Sequence, residues 1–205
     1  KKVYDGDKGL NTGGMGNIAP PPWLSNELKS KIETEVVKKT VSSFAAEGIY
    51  FSGILFIGMI VSSSIAQVLE INVRLGDPEA QVVLPLLKSD LLTTVEMVLN
   101  GEIDSLNLEW LDKYATCVVL ASEGYPREYE KGKEIKGINE AESIDEVLIF
   151  HAGTVYENGK YFTNGGRVLN VVGIGRTKDE SIKKAYEGVS KIHFDGMHYR
   201  KDIGL

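Results

Sequence analysis

A single cysteine, Cys117, stands among 205 residues. No internal disulfide is possible, and its setting in "ATCVVLAS" predicts a small buried hydrophobe in a reducing compartment. Histidine is scarce as well: His151, His193 and His198 lack the spacing of a zinc site. No apolar run approaches the ~20 residues that cross a bilayer; the longest, residues 53–61, has the length of a strand. Nor is there an excess of positive charge. The formal net charge of −6 argues against a nucleic-acid or membrane surface as partner. The chain opens on Lys1-Lys2-Val3-Tyr4-Asp5 with neither a starting Met nor a hydrophobic segment. A secretory leader is therefore not expected, and the abrupt opening reads as the interior of a longer protein. What is present, 42% hydrophobic and 25% charged residues, is an ordinary globular composition. It is enough for one large domain or two small ones.

Punctuation along the chain divides it in two. Residues 1–24 carry five glycines and three prolines and read as loop. A helix is predicted from Ser25, a capping residue, to Glu47, with Leu28, Ile32, Val36 and Phe44 at helical spacing and Gly48 as its stop. Two strands follow, 53–61 and 65–75, joined by Ser62-Ser63-Ser64 as an antiparallel hairpin. Asp77-Pro78 reads as N-cap and first-turn proline of a helix to Leu87. Pro85 should interrupt that helix before a second segment, 89–99. The second half is richer in strands: 115–122, 133–138, 147–156 and 161–174, with "YENGKYF" a two-residue hairpin turn at Asn158-Gly159. One helix, 177–192, buries Ile182, Ala185, Val189 and Ile192. The expectation is an α+β chain, cut near residues 101–114 into a first domain, 1–108, and a β-rich second domain, 109–205.

The chemistry concentrates in "QVLEINVRLGDPEAQ", residues 67–81. Side chains on a strand alternate faces, so Glu70, Asn72 and Arg74 share one face, about 7 Å apart, while Leu69, Ile71 and Val73 turn toward a core. A half-wet antiparallel sheet carries polar residues in this way without any function. The choice of types is less ordinary. Glu and Asn offer hard oxygen ligands of the kind Mg²⁺ takes alongside phosphate oxygens. Arg74 adds a two-pronged grip for phosphate or carboxylate. Asp77, at a helix start, is explained equally well as a cap.

Other candidates are weaker on pattern alone. "GMGNIA", residues 14–19, matches a dinucleotide-binding spacing but runs into Pro20-Pro21-Pro22 instead of a helix. "NTGGMG" is either a surface loop or a loop whose bare N–H groups approach an anion. His151 in "FHAGT" and Arg167 in "TNGGRVL" are open between structural and ligand-contacting roles.

Taken together, "GDKGLNTGGMGNIAP", "LEINVRLGDPEAQ", "LPLLKSDLL", "FHAGT" and "TNGGRVLNVVGIG", in this order, resemble the glycinamide ribonucleotide synthetases, ATP-grasp ligases of purine biosynthesis. The resemblance implies the C-terminal half of an ATP-grasp domain, an antiparallel sheet with helices, followed by a small β-rich domain. It implies ATP as co-substrate and Glu70 and Asn72 as ligands of Mg²⁺, or of Mn²⁺ in its place. Arg74 would lie on the transferring phosphate, and Asp77 would face the amine of glycine or phosphoribosylamine. Asn11, Gly13, Gly14, Met15 and Gly16 would line the substrate pocket, with His151 and Arg167 toward the phosphoribosyl end. Leu10 stands where proline is expected, Asn17 where alanine is common and Ile71 where phenylalanine is usual. The N-terminal domain, the ATP-covering lid, the nucleotide-binding lysine and the adenine hinge of such enzymes have no counterpart here. The remaining half of the same enzyme is therefore the expected partner, in the cytoplasm, and the chain alone is expected to be inactive. Two alternatives stay open: another ATP-grasp carboxylate–amine ligase, or a non-catalytic module.

Overall fold

The structure is a computed structural model that describes residues 1–62 and 66–205; Ser63, Ser64 and Ile65, expected in the hairpin link and the start of its second strand, lie outside them. In chain order the elements are β1 (Lys2–Tyr4), β2 (Lys8–Asn11), β3 (Gly16–Ala19), α1 (Asn26–Ile32), α2 (Lys38–Ala46), β4 (Phe56–Val61) and β5 (Ala66–Asn72). There follow α3 (Ala80–Val83), α4 (Leu91–Leu99), β6 (Tyr114–Ser122), β7 (Glu134–Ile135), α5 (Ile138–Glu142) and β8 (Val147–His151). The chain ends with β9 (Thr154–Glu157), β10 (Lys160–Thr163), β11 (Arg167–Gly175), α6 (Lys178–Val189) and β12 (Met197–His198). The α+β class is as expected. The chain divides into two compact units, one of residues 1–20, 77–86 and 110–205, the other of 21–76 and 87–109. A linear cut at 108/109 thus separates them differently: the first twenty residues join the second half because β3 is a strand of its sheet.

The first unit is built on β6 and β11. Both are nine-residue apolar strands paired antiparallel from Arg167↔Ala121 to Gly175↔Tyr114. β8 flanks β11, while β3 and β12 share the other edge of β6. Nearly every side chain of β6 and β11 is buried, which requires cover on both faces. Val118, Leu120, Leu169 and Val171 meet α5 and α6 on one side; Ala115, Cys117, Val119 and Val172 meet Val82 and Leu86 on the other. Residues 1–24 are therefore not mainly loop. β1 and β2 form a hairpin, and Met15, in the segment read as surface loop, is fully buried.

The long strand runs of the second half each break in two, 147–156 after His151 and 161–174 around Gly165-Gly166. The Asn158-Gly159 turn joins β9 to β10 with φ of 50° and 80°, the left-handed pair that a tight hairpin needs. α6 starts at Thr177, whose Oγ1 accepts the Glu180 N–H. α5 and β12 had no clear signal in the sequence.

The second unit holds the continuous helical stretch of α1 and α2, with a wider π-turn at Glu33–Val37 between them, the β4–β5 hairpin and α4. Ser25 caps α1 through the Leu28 N–H, and Asp90 caps α4 through the Thr93 N–H. Among the described residues, Val36 is its only buried apolar side chain. Leu69, Ile71 and Val73 do not enter a core: they are 64%, 41% and 70% exposed, because no described residue covers them. Val73 also lies past the end of β5, which stops at Asn72.

Near the chain ends, Arg200 is 4% exposed and bonds Asp202, Asp7 and the Lys2 carbonyl. Its guanidinium holds the Asp202 carboxyl far below the usual carboxylate range and lowers that of Asp7. A depressed carboxylate stabilises above its unfolded pKa of ~4, and that contribution drains away as the pH falls below it. Arg200→Met is expected to cost about 2 kcal/mol at pH 7 by chemical denaturation. The variant's stability should also fall less steeply than the parent's as pH drops from about 5 toward 2.

Candidate functional site

Two groups of residues carry the candidate chemistry, one in each unit. The first is on β5. Gly58 on β4 stands opposite Glu70, so no cross-strand side chain competes for the carboxylate, and Phe56 stands opposite Asn72. Glu70 is exposed, and its side chain enters no hydrogen bond or ion pair among the described residues. Asn72 is half-buried; its Nδ2 is buried without a partner, and its Oδ1 accepts only a long 3.4 Å bond from Arg74. Arg74 lies beyond the strand and turns back, also donating to the Leu75 carbonyl at 2.8 Å. No described residue therefore occupies the carboxylate of Glu70, and the amide of Asn72 is undersatisfied. Among the described residues no group of three His, Cys, Asp or Glu side chains is placed to hold a metal alone. A cation at Glu70 and Asn72 would complete its shell with water and ligand oxygens. This donor set fits Mg²⁺, which keeps much of its water and takes few protein ligands.

The second group gathers around Arg167 at the start of β11. Its Nη1 donates to the Gly13 carbonyl at 3.1 Å and the Asp77 carbonyl at 2.9 Å, and its Nη2 donates to Asp77 Oδ2 at 2.9 Å. Asp77 Oδ1 accepts from Gln81 Nε2 at 2.9 Å. Asp77 is thus not a helix cap: α3 begins at Ala80 with no side-chain cap, and the guanidinium takes the carboxylate instead. Gln81 holds this bond although its Oε1 is buried without a partner. Turning the amide over would set that oxygen against the carboxylate, so the bond to Asp77 dictates its orientation.

The glycine loop is less bare than expected. The Gly13 N–H donates to the Tyr125 hydroxyl at 3.1 Å, and the Gly14 N–H donates to Thr12 Oγ1 at 3.1 Å. Asn11 is exposed at the end of β2, whereas Met15 is buried and its carbonyl accepts the Val119 N–H. Gly16 lies in β3 opposite Val118. Of the loop, Asn11 and Gly13 are exposed to solvent; Met15 faces the interior, as its apolar side chain dictates. Asn17 stands beside Cys117 with both amide atoms buried and unpartnered among the described residues, a setting that takes ordered water. Burial pushes the Cys117 thiol well above its ordinary range, with Asp77 and Glu79 adding to the shift, so it is no nucleophile.

His151 ends β8 opposite Leu169. Its Nδ1 meets Thr154 Oγ1 at 2.9 Å, and its ring lies 4.5 Å from that of Tyr161. Sequence reasoning picked out Asp77, Gly13 and Arg167 separately and missed that one guanidinium joins them. Tyr125 and Gln81 escaped notice altogether. No spacing rule predicts contacts between positions 90 and 154 residues apart.

Comparison with known proteins matches both parts of the chain. Residues 1–80 match the family described as phosphoribosylglycinamide synthetase, ATP-grasp (A) domain, and residues 115–205 match phosphoribosylglycinamide synthetase, C domain. A phosphoribosylamine–glycine ligase from Caldanaerobacter subterraneus subsp. tengcongensis is 46% identical over 203 residues, covering 99% of this chain and 48% of that protein. The human trifunctional purine biosynthetic protein adenosine-3 is 44% identical over 206 residues, covering 100% of this chain and 20% of that protein. The crystal structure of phosphoribosylamine–glycine ligase from Thermotoga maritima superposes with a TM-score of 0.82 at 42% identity, over 99% of this chain and 49% of that one. An N5-carboxyaminoimidazole ribonucleotide synthetase from the same organism, at TM-score 0.58 and 22% identity, shares the fold. The chain spans about half the length of the first curated relatives it matches.

Gly14 offers a direct check on the loop's seat. Its φ is 124°, and an added Cβ would fall 2.5 Å from Pro78 Cδ. Gly14→Ala is expected to destabilise the protein by about 2 kcal/mol, read by chemical denaturation.

Proposed function

The chain belongs to the phosphoribosylglycinamide synthetase family, and from that premise we propose that it is the C-terminal half of an ATP-dependent ligase joining glycine to 5-phosphoribosylamine. The observation that carries the reading is the free carboxylate of Glu70 beside the weakly bonded Oδ1 of Asn72, within a chain whose two parts match two domains of one family. In the proposed reaction ATP phosphorylates the glycine carboxylate, the amine of phosphoribosylamine attacks the glycyl phosphate, and glycinamide ribonucleotide, ADP and phosphate leave.

Phosphoryl transfer asks a protein mainly for positioning and for neutralising charge, and no side-chain nucleophile is required. Glu70 and Asn72 would hold Mg²⁺, or Mn²⁺, which when bound offsets the charge of the ATP phosphates. Arg74 is exposed and bonds only its own neighbourhood, so its fork can turn to the transferring phosphate at small cost. Asp77 is half exposed and keeps free lone pairs for a substrate amine. Asn11 and Gly13 would border the substrate, and His151 remains a candidate for its phosphoribosyl end.

The uncovered apolar face of β5 supports a partner, the rest of the same enzyme, which would complete the ATP-grasp sheet. No helix of the described residues is long and apolar enough to cross a membrane, and the proposed setting is the cytoplasm.

The test is ADP release by the full-length protein. Release should require glycine and phosphoribosylamine, and Glu70→Ala should lower kcat by about 100-fold or more. The 205 residues alone should show no turnover. Turnover with a different carboxylate or amine would move the chain to another ATP-grasp ligase, and an unaffected Glu70→Ala variant would point to a non-catalytic module.

A further inference from the structure

Three segments remote in sequence meet at one guanidinium. Arg167 stands at the start of β11, in the most buried sheet of the protein, and its side chain is only 21% exposed. Its contacts run to the Gly13 carbonyl, the Asp77 carbonyl and Asp77 Oδ2, and those partners are themselves restrained. Gln81 holds the other carboxylate oxygen, and Tyr125 holds the Gly13 N–H. A Cβ on Gly13 would sit 3.3 Å from Arg167 Cζ, so the loop lies directly against the guanidinium carbon.

The geometry points to Arg167 as a positioning residue: it acts through Asp77 and the Gly13–Gly14 backbone, setting the carboxylate that meets the substrate amine, and is not itself a phosphate ligand. This rests on the proposed ligase reading and deepens it. Three of the five N–H donors, both of those on Nη1 among them, are spent on a carboxylate and two carbonyls, so the contacts in place are those of a group that holds the loop and Asp77. The planar fork also explains why arginine stands here. A lysine ammonium has three donors as well, but all on one nitrogen, whereas the acceptors here are met from two nitrogens of a rigid planar fork, so lysine would leave the loop or Asp77 loose. A displacement of about 1 Å at a reacting group costs on the order of 100-fold in rate.

The experiment uses the full-length enzyme with Arg167→Met, Arg167→Lys, Asp77→Asn and the double variant Arg167→Met/Asp77→Asn. Steady-state kinetics are measured together with hydrogen–deuterium exchange at Gly13 and Gly14. Arg167→Met and Asp77→Asn should each lower kcat by about 100-fold, and the double variant should be no worse than the poorer single one, as coupled residues behave. Arg167→Lys should recover part of the loss. The KM for the phosphorylated amine should move less than about threefold, and the Gly13 and Gly14 amides should exchange faster in Arg167→Met. Multiplying losses, or a rise in KM for the phosphorylated amine alone with unchanged exchange, would make Arg167 a substrate ligand and overturn the inference. If Arg167→Met fails to fold, Arg167→Lys is read by the same two measurements. Absence of glycine-dependent turnover in the parent would sink the ligase reading, and the exchange rates would still decide whether Arg167 seats the loop.

Discussion

The pairing of β6 with β11 is the constraint on which the first unit depends. Two strands buried on both faces need two covering layers, and the chain supplies them from distant stretches: α6 for one face, residues 77–86 for the other. β3 reaches the same sheet from the first twenty residues. The candidate substrate residues follow from this arrangement. The glycine loop leads directly into β3, Asp77 begins the segment that carries α3, and Arg167 begins β11. Each is placed by burial of apolar side chains nearby, and the polar contacts among them are then short. Hydrophobic burial sets the position, and charge-assisted hydrogen bonds refine it.

Much of this was legible in the residues. The helix starts expected at Ser25 and Thr177 are true ones, and Asn158-Gly159 makes its turn, because those signals are local and act through the nearest backbone. The alternation of Glu70 and Asn72 on one strand was equally readable. What failed were inferences that need knowledge of what lies on the other side. Leu69, Ile71 and Val73 look like a core face, yet a sequence cannot say whether anything covers them, and no described residue does. The glycine-rich opening looks like loop because its composition is that of a loop. Its pairing partner, Ala115–Val118, stands about a hundred residues away and outweighs local preference.

The site divides in the same manner. Glu70 and Asn72 stand out by type and spacing, the two features on which the proposed metal site rests. Asp77 and Arg167 were visible only as isolated polar residues with reasonable structural explanations. Asp77 proved to be no cap, and Arg167 no free surface charge, because each answers the other. A pair of this kind writes no periodic pattern into the chain.

The tie between Arg200, Asp7 and the Lys2 carbonyl has a consequence for biosynthesis. The first unit cannot close until its last residues exist. Asp7 waits 193 positions for its arginine. β3 meets β6 only after about a hundred further residues have been made, some 5–20 s at ribosomal rates. The second unit's hairpin and helices lie between in sequence, with contacts close in sequence, while β3 still lacks its partner. For that interval Met15 and Ile18 are without their sheet, which makes the nascent chain, more than the finished protein, the state that needs a chaperone's shelter.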